Sequence, residues 1–203
     1  MTGIDTETLL DHLLEHNWVV LKKALPQDTL TALREEALAL WQSGDFRSAR
    51  VGRSGENLKS EIRNDRIHWL DEENLSDVQQ RYLDFLNDIK DLLNRELFMG
   101  IASFEGHYAV YPEGSFYKAH LDRFQDADER VMSCILYLNK DWQHDFGGQL
   151  RLHLDEQMLD VEPEAGTIVL FYSDKVLHEV LPANQERLSL TGWFRRRSLR
   201  DLY

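Results

Sequence analysis

Cysteine is almost missing from this 203-residue chain. The single one, Cys134, permits no intrachain disulfide, and a reducing cytoplasm is the expected setting. Long apolar runs are missing too: the hydrophobic segments are short and broken by charge, so no membrane span is expected. The opening Met1-Thr-Gly-Ile-Asp-Thr-Glu7 has neither the basic start nor the apolar stretch of a secretion signal. Four prolines and eleven glycines form no linker, which leaves one domain over 1–203 as the expectation. Positive charge is in deficit, with 23 Lys and Arg against 36 Asp and Glu and a net charge of −13. That balance argues against a nucleic-acid partner, because phosphate neutralisation needs a clustered excess of cations. Two local basic clusters, Arg47 to Arg66 and Arg195 to Arg197, read as a solvated loop and a charged strand end.

What is present falls into two styles. Up to Leu97, apolar residues recur mostly at three- and four-residue intervals. Leu9, Leu10, Leu13 and Leu14 predict a helix over 5–16, which Asp5 or Thr6 can cap. Leu30, Leu33, Ala37, Leu38 and Trp41 predict a second from Asp28 to about Trp41, stopped near Gly44. Val78, Tyr82, Phe85, Leu86, Ile89, Leu92 and Leu93 predict the longest, over 76–95. Trp18–Leu21 and Ile62–Trp69 read as strands, while 46–61 has no period and reads as a long mobile loop. After Leu97, short β-rich runs follow at 103–111, 131–138, 149–154, 167–172, 176–182 and 188–195, separated by turns such as Pro112-Glu-Gly114 and Gly147-Gly148. The pattern predicts a mainly β chain with N-terminal helices: a double-stranded β-helix, or jelly roll, over 98–197, supported by packed helices in 1–97 with a substrate loop at 46–69.

The chemistry concentrates in Tyr117-Lys-Ala-His120-Leu-Asp122, where two-residue spacing on a strand points His120 and Asp122 the same way. His178 returns in a second β-rich run. Two histidines and a carboxylate on one face of an octahedron suit non-haem Fe(II) and oxygen chemistry. Strand alternation also puts Arg187, Ser189, Thr191 and Trp193 on one face, where a planar guanidinium can grip a carboxylate at two points. The other histidines, His12, His16, His68, His107, His144 and His153, have no such company and read as structural or exposed. Trp69 and Trp142 read as core anchors, Tyr108 and Tyr117 as packing in the barrel mouth, and Cys134 as a small buried hydrophobe.

Taken in order, Ile62-Arg-Asn-Asp65-Arg-Ile67-His-Trp69, Tyr111-Pro-Glu-Gly-Ser-Phe-Tyr117-Lys-Ala-His120-Leu-Asp122, Tyr137-Leu-Asn-Lys-Asp-Trp142, Gly147-Gly-Gln-Leu150-Arg and His178-Glu-Val…Arg187…Thr191-Gly-Trp193 resemble the Fe(II)/2-oxoglutarate-dependent prolyl hydroxylases. Within them the set most resembles the oxygen-sensing branch that acts on hypoxia-inducible factor, and its bacterial relatives. The resemblance implies a 2-oxoglutarate-dependent dioxygenase, a peptidyl-prolyl 4-hydroxylase that couples hydroxylation to conversion of 2-oxoglutarate and O2 to succinate and CO2. Fe(2+) is the implied cofactor, with ascorbate as a supporting reductant. His120, Asp122 and His178 are implied as catalytic metal ligands, Arg187 as the partner of the distal carboxylate, and Tyr111, Tyr137, Leu150, Thr191 and Trp193 as its pocket. Arg130, Arg63, Asp65 and Ile67 are implied as substrate contacts, with Asp65 pairing to Arg130. The implied partner is a protein presenting a proline in a flexible loop, with elongation factor Tu a candidate for a bacterial enzyme. Two alternatives stay open: the same chemistry on a small molecule, and a non-catalytic metal-binding sensor.

Overall fold

A computed structural model describes residues 5–49, 59–123, 129–155 and 157–197. Eleven strands in these residues pair antiparallel: β1 (Trp18–Leu21), β2 (Arg47–Ser48), β3 (Arg66–Trp69), β4 (Ile101–Tyr111), β5 (Tyr117–His120), β6 (Arg130–Tyr137), β7 (Leu150–His153), β8 (Met158–Val161), β9 (Ile168–Tyr172), β10 (Leu177–Val180) and β11 (Arg187–Arg196). They form a seven-stranded sheet in the order β1-β9-β6-β11-β4-β3-β2 and a four-stranded sheet in the order β5-β10-β7-β8. This is the jelly roll that the sequence pattern predicts, with β1, β2 and β3 drawn from the first 97 residues onto the edges of the large sheet.

Side-chain alternation divides the large sheet into two faces. On the outer face Tyr108, Val110, Cys134, Leu136, Leu190 and Phe194 join one apolar cluster with three helices, α1 (Thr6–His16), α2 (Gln27–Ser43) and α3 (Asp77–Leu97). Asp5 caps α1, its Oδ1 accepting the Glu7 and Thr8 amides at 3.2 Å each. α3 opens on a reciprocal cap: the Gln79 amide donates to Ser76 Oγ at 3.2 Å and the Ser76 amide to Gln79 Oε1 at 3.4 Å. It then buries Val78, Tyr82, Leu86, Ile89 and Leu93 against the sheet. On the inner face Ala109, Tyr111, Ile135, Tyr137, Val169 and Phe171 meet Leu150, Leu152, Val161 and Val180 of the small sheet in a second cluster.

Three expectations change. The strand read over 62–69 begins only at Arg66, because residues 59–65 are shared between the sheets. The Lys118 amide donates to the Ile62 carbonyl at 2.9 Å on the small-sheet side, and the Ala49 amide to the Asp65 carbonyl at 3.0 Å on the large-sheet side. This segment therefore ties the edge strand β5 to β3 and bridges the two sheets along one side. Trp69 is 47% exposed and not a core anchor, and Trp142 is half-buried, edge-on to Phe146. β8 carries no sequence signal, since Met158-Leu-Asp-Val161 is a short edge strand with one buried residue. The centre of the loop expected over 46–61, residues 50–58, lies outside the described residues. No described helix is long and apolar enough to cross a membrane.

Candidate metal and anion site

His120 and His178 face one another because β5 and β10 pair in register at these residues. Each ring is fixed through Nδ1, whose N–H donates to a backbone carbonyl two residues back: Lys118 at 2.7 Å for His120 and Val176 at 3.0 Å for His178. That leaves both Nε2 lone pairs turned to Asp122, at 3.4 Å from its Oδ1 and 3.6 Å from its Oδ2 respectively. Asp122 arrives from a bend just past β5 rather than from the strand itself. Its other anchor is Ser133, whose hydroxyl donates to Oδ2 at 2.6 Å and lies 2.9 Å from the Ser173 hydroxyl. The ligand atoms of the three residues lie within 4.8 Å of one another, a group of a kind that can hold a metal ion.

The electrostatics favour an ionised Asp122 and a neutral His178. Burial alone would raise the Asp122 carboxyl, but His178, His120 and the Ser133 hydroxyl more than offset it, and the group sits well below the usual carboxylate range. Burial pushes His178 down to about 4, with Asp122 opposing and His120 adding to the fall. Tyr117 stacks on His120 with ring centroids 3.6 Å apart, and the Arg63 guanidinium lies 4.2 Å from the Tyr117 ring centroid. Phe171 closes the other side, 4.6 Å from the His178 ring.

Register places a second feature on the same inner face. Trp193 pairs with Ser133, Thr191 with Ile135, Ser189 with Tyr137, and Arg187 with Tyr111. Arg187 is 1% exposed, and among the described residues it has no carboxylate partner. Its Nε donates to the Gly148 carbonyl at 2.9 Å and its Nη1 to Ser189 Oγ at 3.4 Å, while the guanidinium lies 4.7 and 5.0 Å from the ring centroids of Tyr111 and Tyr137. The approach to Gly148 requires glycine: φ is +66°, and a Cβ would stand 3.0 Å from Arg187 Cδ and 3.3 Å from Ala183 Cβ. Asn139 locks the strand at this end, accepting the Leu188 amide at 2.6 Å and donating to the Leu188 and Pro163 carbonyls at 3.0 and 2.7 Å. Burial, partly offset by Arg187, pushes the Tyr137 phenol up to about 12. Leu150 is fully buried opposite Val180.

This arrangement passes a test of fit for a bound carboxylate. A buried cation without a counter-charge is costly, and so is a buried donor without an acceptor. The Tyr137 hydroxyl and the Trp193 Nε1–H, both buried and on the same face as Arg187, have no hydrogen-bond partner among the described residues. An anion between the triad and Arg187 would supply what these groups lack.

Among the residues expected on the substrate side, one pairing differs. Asp65 does not pair with Arg130; its two oxygens accept Arg63 Nε at 2.8 Å and Nη2 at 2.6 Å, a buried two-pronged bridge. Two residues apart on a turn into β3, these side chains share a side and reach each other locally. Arg130 instead donates through Nε to Glu105 at 2.8 Å and lies 3.6 Å from the Trp193 ring centroid. Ile67 packs half-buried on the inner cluster opposite Ala109. Sequence reasoning passed over Ser133, a short polar residue inside an apolar strand; His107, read as structural or exposed, is buried on the inner face, where strand alternation from Tyr111 puts it.

The comparisons with known proteins agree with this geometry. A family model described as the 2OG-Fe(II) oxygenase superfamily matches residues 106–195. Egl nine homolog 1 of Homo sapiens is 29% identical over 198 residues, covering 93% of this chain and 46% of that protein, so the chain spans about half the length of the curated relatives it matches. A prolyl hydroxylase from Trichoplax adhaerens, solved with a peptide fragment of the hypoxia-inducible factor oxygen degradation domain, superposes with a TM-score of 0.88 at 26% identity, covering 97% of this chain and 91% of that one. A prolyl-4-hydroxylase of Pseudomonas putida is 42% identical with a TM-score of 0.86, covering 95% of this chain and all of the other. The chain belongs to the prolyl hydroxylase family within the 2OG-Fe(II) oxygenase superfamily.

Proposed function

We propose that this protein hydroxylates a prolyl residue in a polypeptide, coupled to conversion of 2-oxoglutarate and O2 to succinate and CO2. The observation that carries the reading is the buried Arg187 guanidinium, without a carboxylate partner among the described residues, on the inner face of the large sheet, together with the His120, Asp122 and His178 group that the small sheet and the bend after β5 supply. Ferrous iron and 2-oxoglutarate, when bound, supply the oxidant that inserts oxygen into an unactivated C–H bond. The chain's residues provide place and orientation. His120, Asp122 and His178 hold the metal, and Ser133 keeps the carboxylate turned toward it. Arg187 and Tyr137 take the distal carboxylate, while Tyr111, Leu150, Thr191 and Trp193 wall it from water.

On the substrate side, Arg130, Arg63 and Ile67 border the open end of the barrel, and Asp65 acts through Arg63. A cytoplasmic setting belongs to this reading, supported by the free, buried Cys134. Elongation factor Tu is one protein to try as substrate, because the resemblance points to it. The test is incubation with Fe(II), ascorbate, 2-oxoglutarate and proline-bearing peptides, following succinate and a one-oxygen mass gain on proline. Succinate with no oxidised peptide or protein, in lysates of cells lacking the enzyme as well as with peptides, would refute prolyl hydroxylation. Absence of succinate under every condition would refute the oxygenase assignment itself.

A further inference from the structure

The roles assigned above leave one buried polar side chain on the inner face without a task. His107 lies on β4 and is 3% exposed. Its Nδ1 is enclosed and has no hydrogen-bond partner among the described residues. The Trp69 and Trp193 ring centroids lie 4.8 and 5.5 Å from it. Burial, reinforced by the positive charges of Arg63 and Arg130, pushes the imidazole down to about 3, so the ring is neutral and carries one donor and one acceptor. Leaving a buried polar atom unmatched is costly, whereas an apolar side chain of similar size would fill the space without that cost. A polar ligand that comes and goes accounts for the histidine.

Register indicates which ligand. The proposed anion pocket lies at the Arg187 end of β11, where Tyr111 of β4 and Tyr137 of β6 flank the guanidinium. His107 lies further along β4 from Tyr111, opposite Thr191, and its partner on β3 is the exposed Trp69. Arg63 and Arg130 belong to the same open end. A chain entering there in extended form brings backbone amides, each with an N–H and a C=O released from water. We propose that His107 is a specificity-determining residue that hydrogen-bonds a backbone amide of the substrate polypeptide next to the target proline. The inference rests on the prolyl hydroxylase reading and names the group that would favour a polypeptide over a small molecule.

The test uses the whole chain with Fe(II) and 2-oxoglutarate, as wild type, His107→Phe and His107→Gln. The probe is a pool of capped, proline-centred peptides with random flanks, followed by the best-bound member and its esters, in which single amides near the proline are replaced. His107→Phe is expected to raise peptide KM and anaerobic Kd about tenfold while shifting the 2-oxoglutarate KM less than twofold. His107→Gln, which keeps a donor and an acceptor, should recover most of the loss. One ester should weaken binding to wild type yet cost nothing further in His107→Phe, a coupling that a merely structural role would not produce. Equal peptide binding by wild type and His107→Phe, or an ester penalty that persists in His107→Phe, overturns this inference alone. Failure of the wild type to bind or hydroxylate any proline peptide overturns the proposed function as well.

Discussion

Replacing Asp65 by alanine should be among the most damaging single changes near the open end of the barrel. The Arg63 and Asp65 side chains are 12% and 0% exposed and joined by two hydrogen bonds of 2.8 and 2.6 Å. With charge centres about 4 Å apart and an effective dielectric of about 20, their attraction is ~4 kcal/mol. Burial alone would lower the Arg63 pKa; Asp65 more than offsets it, and the net shift is upward. Asp65→Ala strands that cation, and breaking a buried pair from one side costs about 3–5 kcal/mol. Removing both charges is different: Arg63→Met with Asp65→Leu should fall within about 1 kcal/mol of wild type, since desolvation is relieved together with attraction. The consequence reaches the metal site, because Arg63 lies over Tyr117 and Tyr117 stacks on His120. Urea unfolding of the metal-free protein measures the first effect as a lowered midpoint at constant slope, and Mn(II) titration measures the second as weakened affinity. A cost below about 1 kcal/mol for Asp65→Ala, or equal costs for the single and double variants, would refute the reasoning.

Ser133→Ala removes the 2.6 Å hydrogen bond that orients Asp122 and should weaken Mn(II) or Fe(II) binding by about 10–100-fold in direct titration, with the fold retained by circular dichroism. Arg187→Lys keeps the charge but loses the planar fork and the bond to Gly148, so the 2-oxoglutarate KM should rise about 10–100-fold in a succinate assay. His107 is pushed from 6.5 to about 3 in the folded protein, so between those values the unfolded chain holds one more proton and stability falls as pH falls, by ~1.4 kcal/mol per unit. Arg63 and Arg130 favour the neutral ring and Asp122 opposes them. In metal-free protein His107→Phe should remove that contribution, and unfolding curves at pH 6.5 and 4.5 that keep the wild-type slope would count against it.

The fold was largely legible because its signals are local and periodic. Leu9 and Leu13, or Val78 through Leu93, announce helices by spacing, and the β-rich runs after Leu97 announce strands by composition. The triad was legible for another reason: His120 and Asp122 are close in sequence, and His178 and Arg187 follow on strands whose alternation can be counted. What escaped depends on distance across the sheet. Ser133 gains its role only because β6 brings it against a bend eleven residues earlier in the chain. The partner of Asp65 was misjudged because Arg63, two residues away, wins the carboxylate over the more remote Arg130. Trp69 reads as core by residue type, yet it stands on the inner face at the end of β3, beside His107, where no described residue packs over its outward edge and it is 47% exposed.

The two faces of the large sheet explain how the site can hold so many unmet polar groups. On the central strands β4, β6 and β11 the outward residues are apolar and packed beneath helices, as Tyr108, Val110, Cys134, Leu136, Leu190 and Phe194 show. The inward residues of those same strands include Arg187, Tyr137, Trp193 and His107, which carry the unpaired charge and unpartnered polar atoms described above. Each unmatched buried group costs about 1–3 kcal/mol, and the apolar outer face supplies the stability that offsets it. Ligands complete the inner face from outside, so occupancy and stability are linked: a ligand at 100 times its Kd adds about 2.7 kcal/mol to the folded state. Polar groups that would be defects in a closed core are thereby the part of the sheet with binding energy still to be realised.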